Sequence, residues 1–133
     1  MNIEFINPPQ LCPTFGWTHA VSATGGKTIH ISGQVGINER GEVVGRGDLK
    51  AQTEQAFHNI ELALTAAGAT FRDVVKTSLF VVGLKPEHVP IIREVRSRYV
   101  WAEHPPASTR VGVSALVGPD WLIEIEAVAV VAE

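Results

Sequence analysis

The side chains best spaced for chemistry lie near the end of the chain, on two segments with the alternating pattern of β-strands. In residues 121–130, Glu124 and Glu126 share one face with aliphatic neighbours, because successive strand side chains point to opposite sides. In residues 107–114, Arg110 stands among small and apolar side chains. Pairing of the two segments as a hairpin would bring Arg110 near a carboxylate. An acid and a cation on otherwise apolar strands are the best candidates for chemistry in this chain.

Each of these residues also has a purely structural interpretation. A strand carboxylate is most often solvated or salt-bridged, and Arg110 could simply pair with a neighbouring acid. Burial of Glu124 among aliphatic side chains and a partner subunit would instead raise its pKa and suit it to acid–base work. Glu124 therefore ranks first, and Glu126 could support it or compete for the role.

The elements that must position these residues are predicted in the order β-β-β-α-β-α-β-β. The clearest helix covers residues 49–67, where Phe57, Ile60 and Leu64 form an apolar stripe after an N-cap at Asp48. Residues 1–133 are expected to form one α+β domain, with a mixed sheet of about six strands and two helices on one face.

A second helix is predicted over residues 86–102, with Arg93, Arg96 and Arg98 on an exposed face. Residues 19–24 and 27–32 are predicted to form a hairpin around the Gly25-Gly26 turn. Strands that look apolar on both faces predict that the second sheet face packs against other subunits; the residues on which this rests are Ile29, Ile31, Val74, Leu79, Val81, Ile123 and Ile125.

Composition excludes several classes of protein. The formal net charge is −3 and no basic run occurs, which argues against a nucleic-acid surface. The single cysteine, Cys12, permits no intrachain disulfide, and the sequence shows neither a secretory leader nor an apolar run long enough for a membrane span. A cytoplasmic protein is expected. The five histidines are scattered without metal-ligand spacing, so no metal site is predicted.

Four sequence blocks in register resemble the RidA/YjgF family of reactive-intermediate (enamine/imine) deaminases, also described as endoribonuclease L-PSP. They are GWTHAV from Gly16, ISGQVG from Ile31, DVVKTSLFVV from Asp73, and PPASTRVGVSAL followed by LIEIEAVAV near the end. The resemblance covers nearly the whole chain. It implies a chorismate-mutase-like homotrimer with clefts between subunits that bind a small imino or keto acid.

The resemblance also assigns roles to particular residues. Glu124 matches the glutamate that positions the hydrolytic water, and Trp17 stands where the family has a tyrosine lining its pocket. Ser32 and Gly33 belong to the block whose backbone donors help bind the substrate carboxylate. No cofactor is implied, since an imine carbon is already electrophilic.

The chain departs from the family at the substrate-binding arginine. Family members resemble Pro-Ala-Arg-Ser, whereas this chain reads Pro106-Ala107-Ser108-Thr109, so Ser108 occupies the place of the arginine. Arg110 lies on the same strand face, about 6.6 Å further along. We expect Arg110 to bind the anionic end of the ligand, because a serine cannot replace a bidentate cation.

Three functions follow from these observations. The first is hydrolysis of an enamine or imine to a carbonyl compound and ammonia, with Glu124 catalytic and Arg110, Gly33, Trp17, Ser32 and Ser108 binding the substrate. The second is a trimer that binds a small metabolite without turnover, which the missing arginine favours. The third is ribonuclease activity, which the acidic charge and the absence of a basic-aromatic stripe make the weakest.

Overall fold

The computed structural model describes residues 1–133, and its elements follow the predicted order. They are β1 (Asn2–Ile6), β2 (Ala20–Thr24), β3 (Lys27–Val35), α1 (Leu49–Ala66), a 3₁₀ turn (Phe71–Asp73), β4 (Val74–Val82), α2 (His88–Arg96), β5 (Ala107–Val113) and β6 (Ile123–Val131). Neither helix is long and apolar enough to cross a membrane.

The strands form two sheets. A four-stranded sheet has the order β3-β6-β4-β5, and β1 pairs with β2 in a separate antiparallel ribbon. In the larger sheet only β4 and β5 are parallel, because helix α2 carries the chain back between them. A single bridge between Thr18 and Ala107 joins the ribbon to the start of β5. The predicted α+β class with six strands and two helices is confirmed, with the strands divided between two sheets.

Both predicted hairpins are wrong. Gly25 and Gly26 do form a turn with positive φ angles of 74° and 80°, but β2 pairs with β1, whereas β3 pairs with β6. Strands β5 and β6 are likewise separated, since β4 lies between them and bonds to both. For β5 and β6 the physical reason is the central strand: β4 buries its helix-facing side chains and takes one of them on each edge.

One face of the four-stranded sheet packs against both helices and forms the core. Helix α1 begins as predicted, with the Asp48 carboxylate accepting a hydrogen bond of 3.1 Å from the backbone N–H of Ala51. Its stripe of Phe57, Ile60 and Leu64 is buried against the sheet. Each such side chain contributes about 1.5–3 kcal/mol by burial. This rigid layer fixes the strands that carry the candidate residues.

The strand residues that predict a subunit contact belong instead to the core of the single chain. Ile31, Leu79 and Ile125 all lie on the helix-facing side and are at most 8% exposed. The other three buried strand residues named for it, Val74, Val81 and Ile123, belong to the same core, and Ile29 packs against it. The opposite face is mixed: it carries polar side chains beside partly exposed apolar ones. That open face is named here the outer face, and its apolar members are Phe80, Val111 and Val128.

Helix α2 is shorter than predicted, ending at Arg96 before a run of turns. Its buried side chains are Ile92, Val95 and Arg96. The expectation that Arg96 is exposed is therefore wrong: only 8% of the residue is accessible. Residues 92 and 96 are four apart, so both project from one side of the helix.

Candidate functional site

A cavity of about 850 Å³ opens at the edge of the sheet, between α2, β5 and the loop that precedes β2. The loop is tied to β5, because the backbone N–H of Thr18 donates to the carbonyl of Pro106 at 3.1 Å. This cavity is named here the arginine cavity, and it is lined by Pro13, Phe15, Gly16, Trp17, Arg93, Arg96, Ser97, Val100, Ala102, Ser108 and Arg110. The lining contains three arginines and no acidic residue.

Arg96 is the most buried of these arginines. Its Nη1 donates to the carbonyl oxygen of Gly16, which holds the guanidinium against the loop. Its Nη2 is buried without a hydrogen-bond partner. Burial, together with the charge of Arg110, lowers the pKa of Arg96 to about 10. The group is thus a cation at neutral pH with unused donor capacity.

Arg110 reaches the same cavity from β5. It lies opposite Leu79, and Leu79 lies opposite Ile125, so all three are on the helix-facing side of the sheet. Its Nε is buried without a partner, and burial and the charge of Arg93 lower its pKa. No carboxylate forms an ion pair with Arg110. The structure therefore does not support the interpretation in which Arg110 merely pairs with a neighbouring acid.

The arginines on α2 and just after it divide by what they contact. Arg98 is engaged by acids, with Nη1 at 2.6 Å from a Glu54 oxygen and Nη2 at 2.7 Å from a Glu94 oxygen. Arg93 and Arg96, three residues apart, line the cavity and pair with no acid. Analysis of the sequence missed this pair. The signal was available, since Arg96 keeps the helical spacing of the buried Ile92.

Trp17 and Ser108, two of the candidate substrate-binding residues, also line the arginine cavity. The Trp17 ring meets His19 edge-on, with ring centroids 4.6 Å apart. Ser108 shares its strand face with Arg110, and its hydroxyl accepts a hydrogen bond of 3.0 Å from the buried Thr77. Ser108 is consequently a fixed neutral wall at the position where the family pattern has a cation.

Glu124, Gly33 and Ser32 lie elsewhere. Glu124 is opposite Phe80 in the register of β4 and β6, so it is half-buried on the outer face, away from Arg110. Gly33 sits at a bulge in β3 beside it, and a Cβ on Gly33 would overlap the Glu124 carboxylate. Only glycine lets the two strands place that carboxylate there. Glu126 is exposed, and it lines a smaller hollow of the outer face with Ser32.

A buried glutamine on α1 fixes the entry to β6. The Gln52 amide donates to the carbonyl of Asp120 at 3.0 Å, and its oxygen accepts from the backbone N–H of Leu122 at 2.8 Å. Gln52 is fully buried, so these bonds are shielded from water. They define where the strand carrying Glu124 begins.

Within one chain the predicted residues thus form two groups. Trp17, Ser108 and Arg110 line the arginine cavity, whereas Ser32, Gly33 and Glu124 lie by the outer face. The predicted approach of Arg110 to a carboxylate of its own chain is wrong, because β4 separates β5 from β6 and the two side chains leave opposite faces.

An α+β fold with an arginine-lined cavity at its sheet edge is the class that these features define. Residues 9–131 match the family described as endoribonuclease L-PSP. The chain belongs to this family, the RidA/YjgF family, as the four sequence blocks indicated.

Relatives and solved structures agree with that assignment. The chain is 33% identical to a 2-iminobutanoate/2-iminopropanoate deaminase of Dermatophagoides farinae over 106 residues, 80% of each protein. It is 35% identical to the 3-aminoacrylate deaminase RutC of Acinetobacter baylyi over 122 residues, 92% of this chain and 90% of that protein.

A crystal structure of a Rid-family protein of unknown function from Yersinia pestis superposes with a TM-score of 0.91 at 43% identity, covering 98% of this chain and all of that one. The structure of Escherichia coli TdcF with bound serine superposes at 0.69 with 27% identity, covering 84% and 85%.

Proposed function

We propose that this protein hydrolyses enamines or imines of small carboxylic acids to the carbonyl compound and ammonia, in clefts between the subunits of a homotrimer. The observation that carries the proposal is the arginine cavity, where Arg96 is buried and Arg110 is half-buried with a buried Nε, and neither pairs with an acid. Buried cations without a partner are strongly unfavourable unless an anion joins them. A substrate carboxylate supplies that anion.

Arg110 is the group that receives the carboxylate in this scheme. Guanidinium and carboxylate form two parallel hydrogen bonds, which fixes the orientation of the substrate as well as its position. The free Nε of Arg110 supplies one such donor. Trp17 walls the cavity, so the carbon chain of the substrate lies against an aromatic surface.

Glu124 supplies acid–base chemistry from a neighbouring subunit. Outer-face side chains Phe80, Val111 and Val128 remain partly exposed in the single chain, and Val111 is 40% exposed, which favours burial against another copy. Such contact places a Glu124 carboxylate at the rim of the next subunit's arginine cavity. The backbone beside Ser32 and Gly33 would approach the substrate from the same side.

The reaction then needs water and no further reactant. Glu124 takes a proton from a water molecule as the water oxygen attacks the imine carbon, and the imine nitrogen gains a proton, which gives a carbinolamine. The carboxylate then passes the hydroxyl proton of the carbinolamine to the nitrogen. Ammonia leaves and a carbonyl group remains. The names of the mite and Acinetobacter relatives support this class of substrate.

A metabolite-binding trimer without turnover is the second candidate, favoured by Ser108 at the position of the family's arginine. Both candidates require the arginine cavity and differ in the role of Glu124. The experiment measures ammonia and 2-oxo acid release from freshly generated 2-aminoacrylate and larger imino acids. We expect Glu124→Gln to lower turnover by about 100-fold or more while 2-oxo acid binding persists. Arg110→Ala should weaken binding itself.

Arg40→Ala is the matched control, since Arg40 is exposed and lines neither the arginine cavity nor the hollow of the outer face, and it should leave release unchanged. If wild-type protein binds 2-oxo acids but releases no more ammonia than buffer does, the hydrolase proposal is wrong and the metabolite-binding trimer is supported instead. Turnover that persists in both Glu124→Gln and Arg110→Ala would remove the proposed site altogether.

A further inference from the structure

The arginine cavity holds more positive charge than one carboxylate can balance. Arg93, Arg96 and Arg110 all line it, and no acidic side chain does. A monocarboxylate bound to Arg110 leaves two guanidiniums uncompensated. The three guanidiniums together carry three positive charges. If Glu124 of a neighbouring subunit balances one of them at the rim, the ligand must still supply two negative charges.

The donors also lie on different elements. Arg110 projects from β5, whereas Arg96 and Arg93 project from α2 across the same cavity. Arg96 already uses Nη1 to hold the Gly16 carbonyl, and its buried Nη2 is free. At 8% exposure this group is too buried for bulk water to screen its charge fully. A second anionic group on the ligand is the partner that this donor lacks.

We propose that the preferred ligand is a dianionic acid: a 2-imino or enamine dicarboxylate, with its second carboxylate bound by Arg96 and Arg93. The inference rests on the proposed function for the first carboxylate and the imine, and it extends that function by the second anionic group. Arg93 is exposed at the rim, so it closes over the outer end of the ligand.

The uncharged part of the lining indicates what joins the two carboxylates. Trp17, Val100 and Ala102 give it an apolar surface, and Ser97 and Ser108 are its only neutral polar side chains. The Ser108 hydroxyl is already engaged by Thr77. Such a wall suits a short methylene chain and offers little to the hydroxyl groups of a sugar phosphate. The volume of about 850 Å³ leaves room for a chain of several carbons.

The test compares two acids that differ only in the second carboxylate. 2-Oxopentanedioate and 2-oxopentanoate have the same carbon chain and the same 2-oxo acid end, and both are stable analogues of the product. Calorimetry on the full chain at neutral pH should show the diacid binding on the order of tenfold more tightly, which is the range for one added charge-assisted contact. Raised salt should reduce this preference.

Variants of the arginines on α2 and just after it separate this assignment from general electrostatic attraction. Arg93→Gln should lower diacid affinity several-fold more than monoacid affinity, whereas Arg98→Gln, whose arginine pairs with Glu54 and Glu94, should change neither. Arg96→Lys, which keeps the charge but loses the fork, should also reduce the preference for the diacid.

Equal affinity for the two acids, or equal losses for both in Arg93→Gln, would overturn the assignment. So would failure of both acids to bind at millimolar concentration. Turnover of 2-aminoacrylate is measured separately, so the proposed hydrolase can stand when the diacid preference fails. Conversely, a diacid preference in a protein without turnover would retain this inference and remove the hydrolase.

Discussion

Replacing Arg110 by methionine should make the ligand-free protein more stable. Methionine keeps much of the length and apolar stem of the side chain while removing its charge. The change relieves the repulsion that Arg96 experiences, since Arg110 is one of two causes lowering the pKa of Arg96. A site built for an anion is expected to be strained when the anion is absent.

The magnitude follows from that pKa. The pKa of Arg96 lies well below its ordinary value, at about 10, which at about 1.4 kcal/mol per pKa unit makes its charge unfavourable by about 3 kcal/mol in the folded state. Burial is the larger cause and Arg110 the smaller, so less than half of that disappears in Arg110→Met. We expect the free energy of unfolding to rise by about 1 kcal/mol.

Urea denaturation at pH 7 measures this, with all proteins at one protomer concentration because subunit assembly would shift the midpoint. At this pH both the folded and the unfolded chain hold the Arg96 proton, so the unfavourable term is fully present. 2-Oxobutanoate should stabilise wild type and not Arg110→Met, and Arg40→Met should resemble wild type in both respects. A variant less stable than wild type by 1 kcal/mol, or one still stabilised by the oxo acid, would refute the reasoning.

Two further predictions concern the outer face and pH. Gly33→Ala should lower imine turnover by at least about tenfold with little change in 2-oxo acid binding, because the added Cβ displaces the Glu124 carboxylate. Gly41→Asn provides a control for general glycine effects, since Gly41 lies at an exposed turn with open space around it and asparagine tolerates its φ of 75°. Affinity for the diacid 2-oxopentanedioate should stay constant from pH 7 to about 9 and fall as pH rises through about 10, since Arg96, the proposed partner of the second carboxylate, then loses its proton in the free protein. An affinity that falls already between pH 7 and 8 would contradict this assignment of the titrating group.

Local sequence patterns predicted the helices and strands well, because the formation of each helix or strand depends on residues that are close in sequence. The stripe of α1 and its Asp48 cap lie within one segment, and the structure confirms both. The partners of each strand depend on distant residues instead. β5 and β6 are consecutive in sequence and both alternate polar with apolar residues, which predicts that they pair with each other. In the sheet, however, β4 lies between them and pairs with both, and no pattern within 107–131 reveals this.

The candidate site was only partly predictable for two physical reasons. A buried arginine is rare, so an arginine at position 96 predicts an exposed side chain, although its spacing from Ile92 places it on the buried side of the helix. The second reason is that the two groups of candidate residues leave opposite faces of the sheet. In the proposed function they act together only across two copies of the chain, and the sequence of one chain does not show how two copies are arranged.

The serine at position 108 is better understood as a displacement of charge than as its loss. Arg110 keeps the same strand face and moves the cation about 6.6 Å along β5, while Arg96 and Arg93 add cations from α2. Loss of anion binding would have left a neutral or acid-paired cavity, and neither is present. A change of ligand, in contrast, agrees with what is observed. Ser108 gives the cavity a neutral wall, and the guanidiniums of Arg96 and Arg110 line it without an acidic partner. We therefore expect the departure from the family sequence to change which acid binds, and the ratio of diacid to monoacid affinity measures that change directly.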